Sequence, residues 1–214
     1  MVHDRKVSEL FQNHATAHVV GFPPKSAFVD TNVFKWSALT NTQLAKRTVK
    51  EQEWLGKEMP AIRKLISLAK MGNVRLFQNF EVSWEGVLIS TLASRRRINA
   101  LWSQIDIETI DAPFKHSRVL AGLGFSKEQL NNLRENMLRC SKDARFLQIK
   151  KLVGASHEAD AYHILSAERA RLDYLVTMDK VLIKLIERNK PALKIKVCYP
   201  SEMIEDLSIK SNLT

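Results

Sequence analysis

Cysteine is nearly absent: the 214-residue chain has only Cys140 and Cys198. Two cysteines exclude a disulfide scaffold, and no zinc-ligand spacing surrounds them. Both read as reduced thiols, as expected of a cytosolic protein. Glycine (7) and proline (6) are scarce, which excludes collagen-like and loop-dominated chains. No apolar run approaches the roughly 18 residues of a membrane-spanning helix. The N-terminal stretch carries His3, Asp4, Arg5, Lys6 and Glu9, with no apolar segment of the kind a secretory signal needs. There is no P-loop motif. Gly122-Leu123-Gly124 lacks the third glycine and the preceding strand of a dinucleotide loop.

What is present is an ordinary globular composition, 45% apolar and 26% charged, enough to build a core without staples. Lys and Arg number 33 against 23 Asp and Glu, a net charge of +10. Such a field favours polyanions, nucleic acid foremost. The excess is segmental. Residues 43–75 hold eight basic and three acidic side chains, and residues 115–151 hold nine and three. Residues 76–114 hold three basic and five acidic, and residues 152–179 two and five. A cation-binding centre beside a polyanion-binding surface has this pattern.

The periodicities predict a polar arm over 1–24, with a short helix near Val7–Asn13, ahead of one domain over 25–208 and a tail over 209–214. Ala27-Phe28-Val29 reads as a buried strand, Val74–Gln78 as a second, Tyr174–Thr177 as a third and Leu193–Cys198 as a fourth. Between them lie helices: 41–71, interrupted at Gly56 and kinked at Pro60; 80–104; 126–152, opened by a cap at Ser126 and divisible in two; 157–170; 180–188; and 201–207. Residues 106–155 read as a helical insertion. Strands alternating with helices predict an α/β fold with a mainly parallel sheet. Ligands then bind at the carboxyl ends of the strands.

Two of these strands run into aspartate, Asp30 and Asp179. Each stands at a helix start, where Asp is a preferred N-cap, so each alone has a structural explanation. After the second strand, Glu81 and Glu85 share a helix face, with no Lys or Arg three or four residues away. Asp160 follows His157 near another helix start, where an acid complements the helix dipole. Converging carboxylates repel unless a cation neutralises them, and oxygen ligands select Mg²⁺ or Mn²⁺. In a basic protein, that arrangement suits phosphodiester hydrolysis. An aspartyl phosphotransferase would need a second Asp where Asn32 stands.

The run Phe28-Val29-Asp30-Thr31-Asn32-Val33-Phe34 resembles the opening of a PIN-domain ribonuclease. Asn79-Phe80-Glu81-Val82-Ser83-Trp84-Glu85 resembles that family's second acidic block, Asp160-Ala161 its third, and Leu175-Val176-Thr177-Met178-Asp179 its fourth. The resemblance covers about residues 26–200. It implies a three-layer α/β/α fold and a Mg²⁺- or Mn²⁺-dependent endoribonuclease. Asp30, Glu85, Asp160 and Asp179 would be the metal ligands and catalytic acids, with Glu81 the substitute for Glu85. Asn32 and Thr177 would orient those carboxylates. Arg95, Arg96, Arg97 and His157 are candidate phosphate contacts, and Trp36 a candidate for base stacking. The implied partner is RNA, in the cytoplasm and away from membranes; an antitoxin-like protein and a homodimer stay open. The chain exceeds the compact toxin-type members in length. The alternative function is a catalytically weak PIN-fold RNA-binding or assembly protein.

Overall fold

The computed structural model describes residues 23–79, 81, 82, 85, 91–111, 127–189 and 192–211. The arm's predicted helix near Val7–Asn13, the glycines at 122 and 124 and the Ser126 cap lie outside them.

Five parallel strands form one sheet in the order β3-β2-β1-β4-β5. They are β1 (Lys25–Val29), β2 (Val74–Gln78), β3 (Ile107–Thr109), β4 (Tyr174–Val176) and β5 (Lys196–Cys198). At the centre, Phe28 pairs with Phe77 on one side and Leu175 on the other. Ala27, Phe28 and Val29 are fully buried, which is why β1 reads as an unbroken apolar run rather than an alternating one.

The helices are α1 (Thr31–Ser37), α2 (Asn41–Ala45), α3 (Val49–Lys70), α4 (Leu92–Trp102), α5 (Lys127–Cys140), α6 (Ala144–Val153), α7 (Glu158–Arg169), α8 (Lys180–Asn189) and α9 (Pro200–Ser211). They pack in two sets. α3 lies against α1, α9 and β2, and α1 against α4; α6 lies against α7 and α8, and α5 against α7. The architecture is mixed α/β on an all-parallel sheet, consistent with three layers. Strand order reverses at β1: the chain leaves it toward β2 and β3, then returns to β4 on the other side. In such sheets ligands usually bind in a crevice at that reversal, here the carboxyl ends of β1 and β4.

Four expectations are corrected. The helix predicted over 41–71 divides before Thr48, whose side chain accepts the Glu51 N–H while the Glu51 carboxylate accepts the Thr48 N–H. This reciprocal cap starts a new helix. α3 then runs on through Gly56 and Pro60. Pro60 removes the hydrogen bond to the Gly56 carbonyl, but both residues are exposed, so water can serve that carbonyl. The insertion over 106–155 is not wholly helical, because Ile107–Thr109 forms the edge strand β3 beside β2. Nor is it detachable: Phe146 and Ile149 of α6 are fully buried in the common core. Finally, α9 extends to Ser211, into the predicted tail.

Cys198 is buried and Cys140 exposed, both as free thiols. None of the described helices is long and apolar enough to cross a membrane. If α6 belongs to the core, Phe146→Ala should cost about 3–5 kcal/mol of stability. Chemical denaturation checks this; a loss below about 1 kcal/mol would mark α6 as dispensable.

Candidate metal centre

β1 delivers Asp30 to the crevice. The Asp30 N–H donates to the Val176 carbonyl at 3.0 Å, which carries the β1–β4 pairing one residue past the strand. Asp30 occupies the N-cap position of α1 yet its side chain makes no capping bond. Its Oδ2 instead accepts from Thr177 Oγ1 at 2.7 Å and from Asn32 Nδ2 at 3.2 Å. A cap worth about 1 kcal/mol is thus forgone for an orientation toward the crevice. Asn32 and Thr177, expected from the sequence to orient it, each donate one of these bonds. Thr177 Oγ1 also accepts the Asp179 N–H at 3.0 Å, so one hydroxyl ties together the loops after β1 and β4.

Asp179 behaves differently. Its Oδ1 accepts the N–H groups of Val181 and Leu182 at 2.7 and 3.0 Å, so here the capping function is real. The charge of Asp179 still reaches Asp160 and raises its pKa. Asp160 sits in the first turn of α7, 2.8 Å from His157 Nδ1. His157 therefore serves the acid cluster, and the structure gives no support to its predicted phosphate contact.

The chain is helical at Glu81, Val82 and Glu85, and of the two acids Glu85 joins Asp30. Thr31 Oγ1 donates to Glu85 Oε2 at 2.6 Å. Glu81 is buried but lies outside the candidate ligand group. That group contains a residue sequence reasoning missed, His163. One ligand atom each from Asp30, Glu85 and His163 lie within 4.8 Å of one another. His163 is three residues after Asp160 and shares its helix face. It sits in the continuous buried stretch from Ala161 to Glu168. A titratable ring amid that stretch was the available signal, but a single histidine on an apolar helix reads as core.

Burial dominates the electrostatics of the cluster. Burial, above all, pushes the Asp30 carboxyl up to about 6; the charges of Asp160 and Glu85 add to it, while His163 and the Thr177 bond oppose it. Burial likewise raises Asp160, against the His157 bond. For His163, burial disfavours the imidazolium, but Glu85, Asp30 and Asp160 outweigh it and lift the pKa above the ordinary histidine value. Among the described residues, no Lys or Arg pairs with Asp30, Asp160 or Asp179, in a chain with 33 of them. By contrast, the buried carboxylate of Glu168 receives two bonds from Arg145, at 2.7 and 2.6 Å. Asp30, Glu85 and His163 form a group that could hold a metal ion, and its carboxylate oxygens are hard donors.

The arginine run makes contacts of its own. Arg97 Nε donates to the Ala38 carbonyl at 2.7 Å and Nη2 to Ser94 Oγ, pinning α4 to the end of α1. Arg95 Nε is buried, and Arg96 alone of the three is exposed. Arg97, a candidate phosphate contact by sequence, thus has its Nε and Nη2 engaged within the protein. Trp36 is half-buried, edge-on to Trp54 at 5.5 Å, with the Arg47 guanidinium 5.0 Å above its ring.

Compared with protein-family models and with curated proteins, the chain matches none.

The raised Asp30 pKa makes a signed prediction. Below pH 3.8 the carboxyl is neutral in folded and unfolded chains alike. Between 3.8 and about 6 the unfolded chain ionises first, so stability falls as pH rises, by up to about 3 kcal/mol. Asp30→Asn should therefore stabilise the metal-free protein at pH 7.5 and leave it unchanged near pH 4. Thermal melts at the two pH values check this; a destabilised variant at pH 7.5 would contradict the assigned environment.

Proposed function

We propose that this chain is a PIN-like, Mg²⁺- or Mn²⁺-dependent endoribonuclease. The observation that carries the reading is the convergence of Asp30 and Glu85, with His163, in one group at the strand-order reversal, with Asp160 coupled to Asp30 and Asp179 to Asp160 through their charges. The order Asp30, Glu85, Asp160, Asp179 and the resemblance of the surrounding blocks support the choice of family.

Asp30 and Glu85 would hold the cation, with Asp160 and Asp179 completing the negative charge around it. Such an ion supplies a Lewis acid for a phosphodiester oxygen and lowers the pKa of a water. The protein's own part is orientation. Thr177 and Asn32 fix the Asp30 carboxylate, Thr31 fixes that of Glu85, and His157 fixes that of Asp160. The Asp179 cap leaves Oδ2 as the oxygen available to a ligand.

RNA as substrate is supported by the charge distribution. Lys46, Arg47, Lys50, Lys57, Arg63, Lys64, Lys70 and Arg75 are all exposed, so this basic segment faces solvent rather than the acid cluster. The second segment, 115–151, falls partly outside the described residues.

Two measurements test the reading. Wild-type protein should cleave single-stranded or structured RNA only with Mg²⁺ or Mn²⁺, and Asp30→Asn should lose at least about 10²-fold in rate while keeping the fold and RNA binding. Equal rates in the two proteins would remove Asp30 from the chemistry. An inactive wild type without a metal-induced melting shift would favour the RNA-binding or assembly alternative. In the second, RNA affinity should fall steeply between about 50 and 300 mM salt through counterion release; a flat response would remove the basic segments from binding.

A further inference from the structure

Asn79 follows β2 and is fully buried. Its amide orientation is fixed from two sides. Oδ1 accepts the Val82 N–H at 3.0 Å, and Nδ2 donates to Ser166 Oγ at 3.1 Å. Ser166 cannot reverse that bond without loss, because its own proton goes to the Tyr162 carbonyl at 2.8 Å. Flipping the amide would set N–H against N–H at Val82. Asn79 Nδ2 therefore also presents an N–H toward His163 Nδ1, 3.4 Å away. In the neutral ring, Nδ1 opposite that donor keeps its lone pair.

The consequence falls on the other ring nitrogen. A neutral imidazole carries one proton, so with Nδ1 an acceptor that proton is on Nε2. A doubly protonated ring carries a proton there as well. In either state Nε2 offers a hydrogen rather than a lone pair. Nε2 is buried with no hydrogen bond inside ordinary range, and it sits 3.6 Å from Glu85 Oε2. The same oxygen accepts from Thr31 Oγ1 on α1. The ring is steadied by Phe28, 5.5 Å away between centroids.

We infer that His163, despite its place among the clustered ligand atoms, is a positioning residue: Asn79 fixes its tautomer, its Nε2–H is directed at Glu85, and it does not bind the metal. This rests on reading the site as a metal centre. It leaves an all-oxygen donor set, which admits Mg²⁺ as readily as Mn²⁺, whereas an imidazole ligand would bias the site toward Mn²⁺ and later transition metals. The arrangement is that of an outer-sphere histidine aligning a carboxylate.

The test uses the full chain with ¹⁵N-labelled histidine. In the metal-free protein, a long-range ¹H–¹⁵N correlation, assigned by its loss in His163→Gln, should show a proton on Nε2; a ring protonated on Nδ1 alone would overturn the proposal. In Mn²⁺-loaded protein, pulsed electron paramagnetic resonance should show no directly coordinated nitrogen; a nitrogen coupling that disappears in His163→Gln would overturn it. Asn79→Asp keeps the acceptor for Val82 but turns a carboxylate toward Nδ1. It should put a proton on Nδ1, and a ring whose Nδ1 stays unprotonated would remove Asn79 from the role. His163→Leu should weaken Mn²⁺ binding about tenfold, with most of the loss restored in His163→Gln, which returns an N–H donor. A wild type protonated on Nε2 that binds no Mn²⁺ would sink the metal-centre reading yet leave the Asn79–His163–Glu85 arrangement standing.

Discussion

The bond from Thr177 Oγ1 to Asp30 Oδ2, 2.7 Å long and buried, joins the two strands between which the sheet reverses its order. Asp30 ends β1 and Thr177 follows β4, so this single contact sets where a carboxylate can stand in the crevice. Asn32 and the Asp179 N–H complete the arrangement around the same two side chains. The Asp30 carboxyl thus gives up helix capping and solvent, and burial raises its pKa. A position under purely structural demand would have capped α1, as Asp179 caps α8.

Other carboxylates in or beside the core are compensated by donors. Glu168 is held by Arg145 and the Lys194 N–H, and those bonds overcome burial to lower its pKa. Glu58, buried in α3, accepts both the N–H and the hydroxyl of Ser201 at the start of α9; burial still raises its pKa, but its oxygens are occupied. Lys25 and Asp173 pair at 2.6 Å where β1 begins. Buried charge is tolerated when donors compensate it. Among the described residues at the carboxyl end of the sheet, hydroxyls, one amide and two histidines, rather than Lys or Arg, contact these acids.

Much of this was legible in the sequence because the sheet is parallel. Strands covered on both faces appear as short apolar runs, and their carboxyl ends are marked by the residues that follow; Phe28-Val29-Asp30 and Leu175-Val176-Thr177-Met178-Asp179 carry both signals. Edge strand β3 was not legible, since Ile107-Glu108-Thr109 is three residues long and only half covered. The division before α3 depended on a reciprocal Thr48–Glu51 cap that the surrounding helical pattern hid. In the site, Asp30, Glu85, Asp160 and Asp179 were visible as four acids in order, two of them just after strands. His163 was not, because its chemistry depends on Asn79, 84 positions away, and only the fold brings the two together.

A crystal of the protein grown in Mn²⁺ and measured at the manganese absorption edge tests the central claim most directly. The account predicts an anomalous peak bonded to carboxylate oxygens of Asp30 and Glu85. Its absence at saturating Mn²⁺, or a peak only at surface carboxylates, would contradict the account.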